Sequence, residues 1–270
     1  FAWQLRREAG FEPSFVEGSA VQDVEPILSP KIQLLAVLKN HGFILNPGAY
    51  VKTLVELFEE IGGKFIQAEV KDFEMEGGRI SAIDTSIGRI YCSKVVVSSG
   101  VWSKPLMQKL GLIVPLEAER GYHLLFKEPN IKPNNPMMLT SGKFVATPME
   151  HGLRCAGVVE FGGLNEKLSK APLNFLRRKA QEAFPSLKFS SVEEWLGYRP
   201  APSDSLPLVG EIKRSGVFAA FGHHHIGLTG GPKTGRMVAD LIAGKHSNND
   251  IRPFEPMRFS TGKLEEPKYQ

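Results

Sequence analysis

Two short runs decide what this chain can build. Val95-Val96-Val97 and Val217-Phe218-Ala219-Ala220-Phe221 are apolar at successive positions. Each then stops at small residues, Ser98-Ser99-Gly100 in one case and Gly222 in the other. A strand that does not alternate is expected to be covered on both faces, as in parallel sheets flanked by helices. Strand ends made of glycine and serine let a ligand approach the backbone, and open α/β sheets take their ligands at such ends. Each run leads toward a helical pattern, 102–110 closed by Gly111 and 233–244 closed by Gly244.

The segments around these runs read differently. Asn46-Pro47-Gly48 starts a helix in which Val51, Leu54, Val55, Phe58 and Ile61 recur every three or four residues before Gly62-Gly63. Asn caps and Pro suits the first helical turn. Residues 64–92 are short alternating segments with turns at Gly77-Gly78 and at 86–88, the pattern of an antiparallel meander. From 114 to 210 strands dominate, the best being 122–127, 144–149, 153–161 and 192–199, with a helix at 173–184. Near the start, Trp3, Leu5 and Phe11 around Arg6, Arg7 and Glu8 read as part of a helix, and 32–37 fits a strand or a helix equally. The tail, 245–270, is polar and carries proline, and is expected to be loosely attached. There is no internal repeat.

Composition sets limits. A chain of 270 residues holds about two domains at roughly 150 residues each. With 42% hydrophobic and 23% charged residues it is neither disordered, collagenous nor coiled coil. Thirty-three Lys and Arg against 29 Asp and Glu leave a formal charge of +4, with no basic run to suggest a nucleic-acid face. No apolar stretch approaches the roughly 18 residues of a membrane-spanning helix. Charges come too early after Phe1 for a signal peptide. Cys92 and Cys155 allow at most one disulfide, so a reduced compartment is expected.

Four segments carry candidate chemistry. The first is the strand end with Ser98, Ser99, Gly100, Trp102 and Ser103. The second is Phe221-Gly222-His223-His224-His225-Ile226-Gly227-Leu228-Thr229-Gly230-Gly231, where glycines open a helix whose free N–H groups suit an anionic ring or phosphate. It lacks the Gly-Lys-Ser/Thr of a P-loop. Its three adjacent histidines are read as no metal site, because neighbouring residues rarely converge on one ion. The third is Gly197-Tyr198-Arg199-Pro200-Ala201-Pro202-Ser203-Asp204. Arg199, at a strand end held by prolines, is either a carboxylate clamp or a surface partner of Asp204. The fourth is Arg120-Gly121-Tyr122-His123, where Tyr122 and His123 either face a pocket or sit on a half-buried strand.

Together these segments resemble the FAD-dependent D-amino-acid oxidase superfamily, above all the bacterial D-amino-acid dehydrogenases. The resemblance rests on four sets of residues. They are the small-residue strand end with Gly100, Trp102 and Ser103; Gly197, Arg199, Pro200, Asp204, Pro207 and Gly210; Gly222, His223, His225, Gly227, Leu228, Thr229 and Gly235; and the closing Pro253-Phe254 and Arg258-Phe259 pairs. They run in the family's order over about 45–260. Two features depart from it. The family's Gly-x-Gly-x-x-Gly, which cradles the FAD pyrophosphate, appears nowhere in the chain and would belong before Phe1. The chain is therefore expected to be a fragment that binds FAD poorly alone. His224 stands where dehydrogenase relatives have a small residue.

The resemblance implies an α/β (mixed α+β) fold, a partial doubly wound FAD-binding domain interrupted by an antiparallel β-rich substrate domain. It implies FAD-binding segments at 45–105 and 213–246, substrate-domain segments at 1–44 and 106–212, and a tail at 247–270. Val70, Ser98, Ser99, Gly100, Trp102, Gly222, His223, Gly227, Leu228 and Thr229 would contact FAD. Arg199 would bind the substrate carboxylate and Tyr122 would be a second substrate contact. The activity implied is oxidative deamination of a D-amino acid to a 2-oxo acid and ammonia, with quinone or oxygen as electron acceptor. Glycine, sarcosine or a 2-hydroxy acid as substrate, or a non-catalytic fragment, are the alternatives. A cytoplasmic protein is expected, free or peripheral at the inner face of the membrane.

Overall fold

The computed structural model describes residues 2–245 and 249–260. In chain order the elements are α1 (Ala2–Glu8), β1 (Ser14–Glu17), α2 (Ala20–Val24), β2 (Leu34–Val37), α3 (Pro47–Glu60), β3 (Val70–Glu76), β4 (Arg79–Thr85), β5 (Gly88–Tyr91) and β6 (Val95–Val97). Then come α4 (Ser103–Lys109), β7 (Leu116–Lys127), β8 (Met137–Leu139), β9 (Phe144–Met149), β10 (Gly152–Phe161), α5 (Lys170–Ala183), β11 (Ser191–Pro202), β12 (Leu208–Glu211), β13 (Val217–Phe221) and α6 (Gly227–Ile242). Single 3-10 turns stand at Gly100–Trp102, Arg252–Phe254 and Pro256–Phe259. This is the mixed helix-and-sheet fold expected.

The chain forms two compact units. The first comprises 1–65, 121–160 and 166–197; the second comprises 66–120, 161–165 and 198–270. These limits differ from the segments read in the sequence. Helix α3 falls in the first unit, and 106–120 and 198–212 fall in the second. The second assignment follows from packing, since Met107, Leu112, Val114 and Leu116 share one core with Val97, Leu208, Val217 and Phe221.

In the first unit a sheet of order β11-β7-β10-β9-β8 carries α5, and Tyr122, Leu124, Phe126, Phe144, Leu153, Leu176 and Phe184 close the core. The ends of β7 and β11, 116–120 and 198–202, belong to the second unit. Segment 32–37, readable either way from sequence, becomes β2, paired antiparallel with β1. Helix α3 starts as expected: the Asn46 side chain accepts from the Ala49 N–H at 3.0 Å, and Pro47 is its first residue.

In the second unit β13 pairs in parallel with β6, setting Val217 beside Val95 and Ala219 beside Val97. Strand β12 lies antiparallel on the other side of β13. Helix α6 covers this sheet with Met237 and Val238 against Val209 and Phe218. The expectation that β6 is covered on both faces is corrected: Val97 is buried but Val96 is 39% exposed. Among the described residues strand β6 lies at the edge of its three-stranded sheet, paired with β13 alone. The meander is β3-β4-β5, as read.

Three boundaries moved for physical reasons. Strand β11 runs on to Pro202 instead of stopping at Arg199; it is an edge strand, where missing proline N–H groups are tolerated. Helix α6 begins at Gly227, six residues before the pattern suggested, and carries Pro232 inside it. The tail is partly tethered: Pro256 is buried, Met257 and Phe259 pack on the second unit's core, and the Arg258 guanidinium grips Asp204 at 2.7 and 3.1 Å. Residues 246–248 and 261–270 of that tail lie outside the described residues.

Gly152 shows how tightly the first unit is built. Its φ is +141°, and a Cβ there would stand 2.1 Å from the Phe126 carbonyl oxygen. Gly18, at φ +62°, faces open space. Gly152→Ala is therefore expected to destabilise the protein by about 2–4 kcal/mol, and Gly18→Ala by only about 1 kcal/mol, the cost of backbone strain alone. Urea unfolding of the two variants checks the difference; equal midpoints would contradict it.

Candidate functional site

The parallel pair brings the two small-residue strand ends together, because β6 and β13 run in the same direction side by side. After β6 the chain turns through Ser99 and Gly100, with Gly100 at φ +60°, into Trp102 and α4. The Ser99 and Ser103 hydroxyls lie 3.1 Å apart. Trp102 meets Tyr198 edge to face, ring centroids 6.1 Å apart. The Tyr198 hydroxyl is buried without a hydrogen-bond partner. A buried orphan hydroxyl is costly unless something satisfies it.

After β13 the chain passes Gly222 at φ +84°, where a Cβ would stand 2.8 Å from Pro202 Cγ. His223 is pinned to α6 by a 2.8 Å hydrogen bond between its Nε2 and the Thr234 hydroxyl, and burial lowers its pKa. Gly227, Leu228 and Thr229 form the exposed first turn of α6, with no side-chain cap. The glycines here are not required by this chain's own packing. A Cβ at Gly227 would come no nearer than 3.6 Å to His223 Cβ, and one at Gly231 or Gly235 would meet nothing within 4 Å. Each glycine costs a helix up to about 1 kcal/mol relative to alanine. Glycines kept at that cost, with free N–H groups and an open face, leave room for a ligand against the backbone. Val70, at the start of β3 opposite Thr85, is half-buried in the same unit.

Arg199 does not pair with Asp204, which belongs to Arg258. Its Nη1 donates at 2.8 Å to Glu119 on β7, a carboxylate whose side chain is 5% exposed. The same carboxylate is hydrogen-bonded to His224 Nε2 at 2.6 Å, and His225 Nε2 stands 2.9 Å from it as an ion-pair neighbour. Burial pushes the Glu119 carboxyl up, but the His224 hydrogen bond and the His225 and Arg199 charges outweigh it and hold it below the usual carboxylate range. The adjacent histidines do converge, against the sequence reading. His224 is held at φ +51°, a left-handed conformation that breaks the alternation of neighbouring side chains, and its N–H donates to the Pro200 carbonyl. The three residues offer metal-type ligand atoms within 4.8 Å of one another. The Arg199 guanidinium already meets that carboxylate, so the cluster is charge-paired as it stands.

Glu119 was missed in the sequence because a charged residue in a strand is ordinarily placed on the wet face. Glu117 and Glu119 both alternate with Leu116 and Ala118, so nothing local sets Glu119 apart as the buried one. Tyr122 is corrected too. It is 1% exposed, lies in the first unit's core, and its hydroxyl bonds Glu160. It faces no open pocket here, because β7 turns it inward with Leu124 and Phe126. His123, its neighbour, stacks on Trp195 with ring centroids 4.7 Å apart.

The sequence profile of the DAO family, described as FAD dependent oxidoreductase, matches residues 2–241. The chain belongs to this family. It is 34% identical to a D-amino-acid oxidase of Bradyrhizobium diazoefficiens over 262 residues, covering 95% of this chain and 62% of that protein. It is 29% identical to a D-amino acid dehydrogenase of Rhizobium rhizogenes, over 74% of this chain and 49% of the relative. The glycine oxidase structure from Bacillus cereus shares the fold, with a TM-score of 0.80 at 24% identity over 92% of this chain and 68% of that one. The chain thus spans less than two thirds of the length of these two sequence relatives.

FAD is the cofactor this family takes, and the residues present fit its flavin end. The orphan Tyr198 hydroxyl, the open glycine face of α6 and its uncapped N-terminus are the features a flat ring with an electron-poor edge would use. The pyrophosphate-binding glycine motif is not among these residues.

His123 supplies a pH prediction. Burial, and then the Arg154 charge, lower its pKa to about 4. The folded state therefore holds His123 neutral where the unfolded chain begins to bind a proton, near 6.5. Its contribution is complete above about pH 6.5 and is lost as pH falls toward 4. His123→Phe keeps a ring against Trp195 and removes the titration. The loss of stability between pH 7 and pH 5, measured by urea unfolding, should shrink in the variant.

Proposed function

We propose that the protein carrying this chain oxidatively deaminates a D-amino acid to a 2-oxo acid and ammonia. The observation that supports it best is Arg199, a partly exposed guanidinium (27%) held through one nitrogen by the buried Glu119. Its Nη2 and Nε donors remain to take a planar carboxylate. The 34% identity to a D-amino-acid oxidase, and the second relative's activity, support the substrate class.

In this reading bound FAD would supply the two-electron acceptor for the Cα hydrogen, and the imine left on the substrate would be hydrolysed by water. Arg199 fixes the substrate carboxylate and so the direction of the Cα–H bond, a contribution of positioning. Gly227, Leu228 and Thr229, at the uncapped start of α6, would hold the flavin through their N–H groups, which favour an edge that gains negative charge on reduction. Ser98, Ser99, Gly100, Trp102, Gly222 and His223 would line the wall beside the cofactor, and Val70 would offer backbone contacts to its adenine side. The electron acceptor is quinone or oxygen. Two free thiols suit a reducing, cytoplasmic setting, with peripheral attachment to the inner membrane face compatible with it; among the described residues no helix is long and apolar enough to cross a membrane.

Arg199 is the test. Arg199→Ala in the FAD-loaded protein is expected to lower kcat/KM for D-alanine by roughly 30- to 1,000-fold, the loss of about 2–4 kcal/mol, with flavin retained. Ethylamine, which lacks the carboxylate, should be a poor substrate little changed by the mutation. Equal losses on both would make Arg199 structural. Preference for glycine or sarcosine over D-alanine would favour the glycine oxidase reading. Gly227→Val separately tests the flavin face: with no atom of this chain nearer than 3.6 Å to the new Cβ, the variant should fold yet lose its yellow colour.

A further inference from the structure

We propose that Arg154 anchors a second anion site, one that takes a carboxylate beside the stacked rings of His123 and Trp195. The site lies within the first unit and does not depend on the reading of Arg199.

Arg154 stands on β10 between Leu153 and Cys155, both of which lie in the first unit's core. Alternation along a strand therefore puts it on the sheet's other face. His123, between Tyr122 and Leu124 of the same core, falls on that face, and so does Trp195, next to the core-packed Leu196. Their strands are neighbours in the order β11-β7-β10. The His123 ring stacks on Trp195 with centroids 4.7 Å apart, and the Arg154 charge is near enough to depress the His123 pKa. Trp195 is set by its own strand: its ring lies over Gly197, where a Cβ would run into it.

The guanidinium has no counter-charge. Among the described residues no hydrogen bond or ion pair reaches the Arg154 side chain, its Nε is shut off from solvent, and burial alone lowers its pKa. The acids of the neighbouring strands are taken. Glu193 meets Lys127 at 3.0 Å, Glu194 meets Arg177 at 2.9 Å, and Glu160 accepts from the Tyr122 and Ser169 hydroxyls. A half-buried charge without a partner is a cost to folding that a bound anion would offset. Nε and Nη2 form the edge that grips a carboxylate through two parallel bonds, so the orphan donor is one that such a ligand uses. Charge selects the class. His123, its pKa held at about 4, is neutral at pH 7 and can add a hydrogen bond without adding charge. One positive charge matches one carboxylate, whereas a phosphate dianion would be left half-neutralised. Trp195, 51% exposed, gives the attached carbon chain an apolar wall.

The test uses the FAD-loaded protein carrying Arg199→Ala, so that the other guanidinium takes no carboxylate. Succinate should raise its urea midpoint and shift the His123 imidazole resonances, and succinamide should do neither. Adding Arg154→Met should abolish both effects and weaken succinate binding by at least about tenfold in calorimetry. It should leave the ligand-free midpoint equal or higher, since no partner is lost. Arg154→Met alone then separates two sources of the carboxylate. A fall of roughly 10- to 100-fold in kcat/KM for D-glutamate, with D-alanine within about twofold, makes the occupant the substrate's own side chain. Both substrates unchanged makes it a separate carboxylate ligand. Succinate without effect on Arg199→Ala, an effect that survives Arg154→Met, stronger protection by phosphate, equal losses on D-glutamate and D-alanine, or a ligand-free midpoint lowered by Arg154→Met would overturn the inference. Succinate binding is read without turnover, so failure of the D-amino-acid reading leaves this test standing.

Discussion

One buried carboxylate organises the candidate site of this molecule. Glu119 is hydrogen-bonded to Arg199 and His224 and lies 2.9 Å from His225 Nε2, so it gathers three basic side chains from two distant parts of the chain. Removing one partner of such a group leaves charge uncompensated in a poorly solvated place, which costs several times what a surface pair is worth. The arrangement thus fixes more than an arginine. It ties the loop before α6 to β11, with the His224 N–H on the Pro200 carbonyl as a second tie. Strand β7, strand β11 and the glycine-rich turn hold one relation because one side chain demands it.

The parallel pairing of β6 with β13 supplies the other half. It is a modest contact of three residue pairs, Val217 with Val95, Phe218 with Val96 and Ala219 with Val97. It places two loops of very different composition at the same sheet end. One is short and hydroxyl-bearing; the other is a run of histidines and glycines. Local chemistry is thus divided between a backbone-lined, glycine-rich surface and a charged cluster around Glu119.

Much of this was legible in residue order. Non-alternating apolar runs gave the parallel pair, Gly77-Gly78 gave the meander, and Asn46 gave a capped helix. What escaped was governed by contacts far apart in sequence. Asp204 looked like the partner of Arg199 by nearness in the chain, yet Arg258, 54 residues later, takes it. Glu119 was invisible because its burial depends on the placement of β11 and of the 222–226 turn, neither of which local pattern encodes. Tyr122 went the wrong way for a related reason: a period-two pattern says that faces alternate, not which face is the core. The early start of α6 was hidden by composition, since five glycines and prolines in nine residues argue for a loop until the packing of Met237 and Val238 fixes the helix.

That helix is made of two unequal halves. From Arg236 onward it has ordinary helix formers and a buried anchor; before that it has four glycines, and Pro232 removes a main-chain bond. Its opening turns are therefore held by little of their own, and any molecule lying on them does two jobs at once. It gains contacts, and it supplies the order that the glycines withhold. Occupancy and local rigidity then rise and fall together, so that amide exchange along α6 becomes a gauge of whatever lies on it: rapid over the first two turns when the surface is bare, slowed toward the level of the anchored half when it is covered.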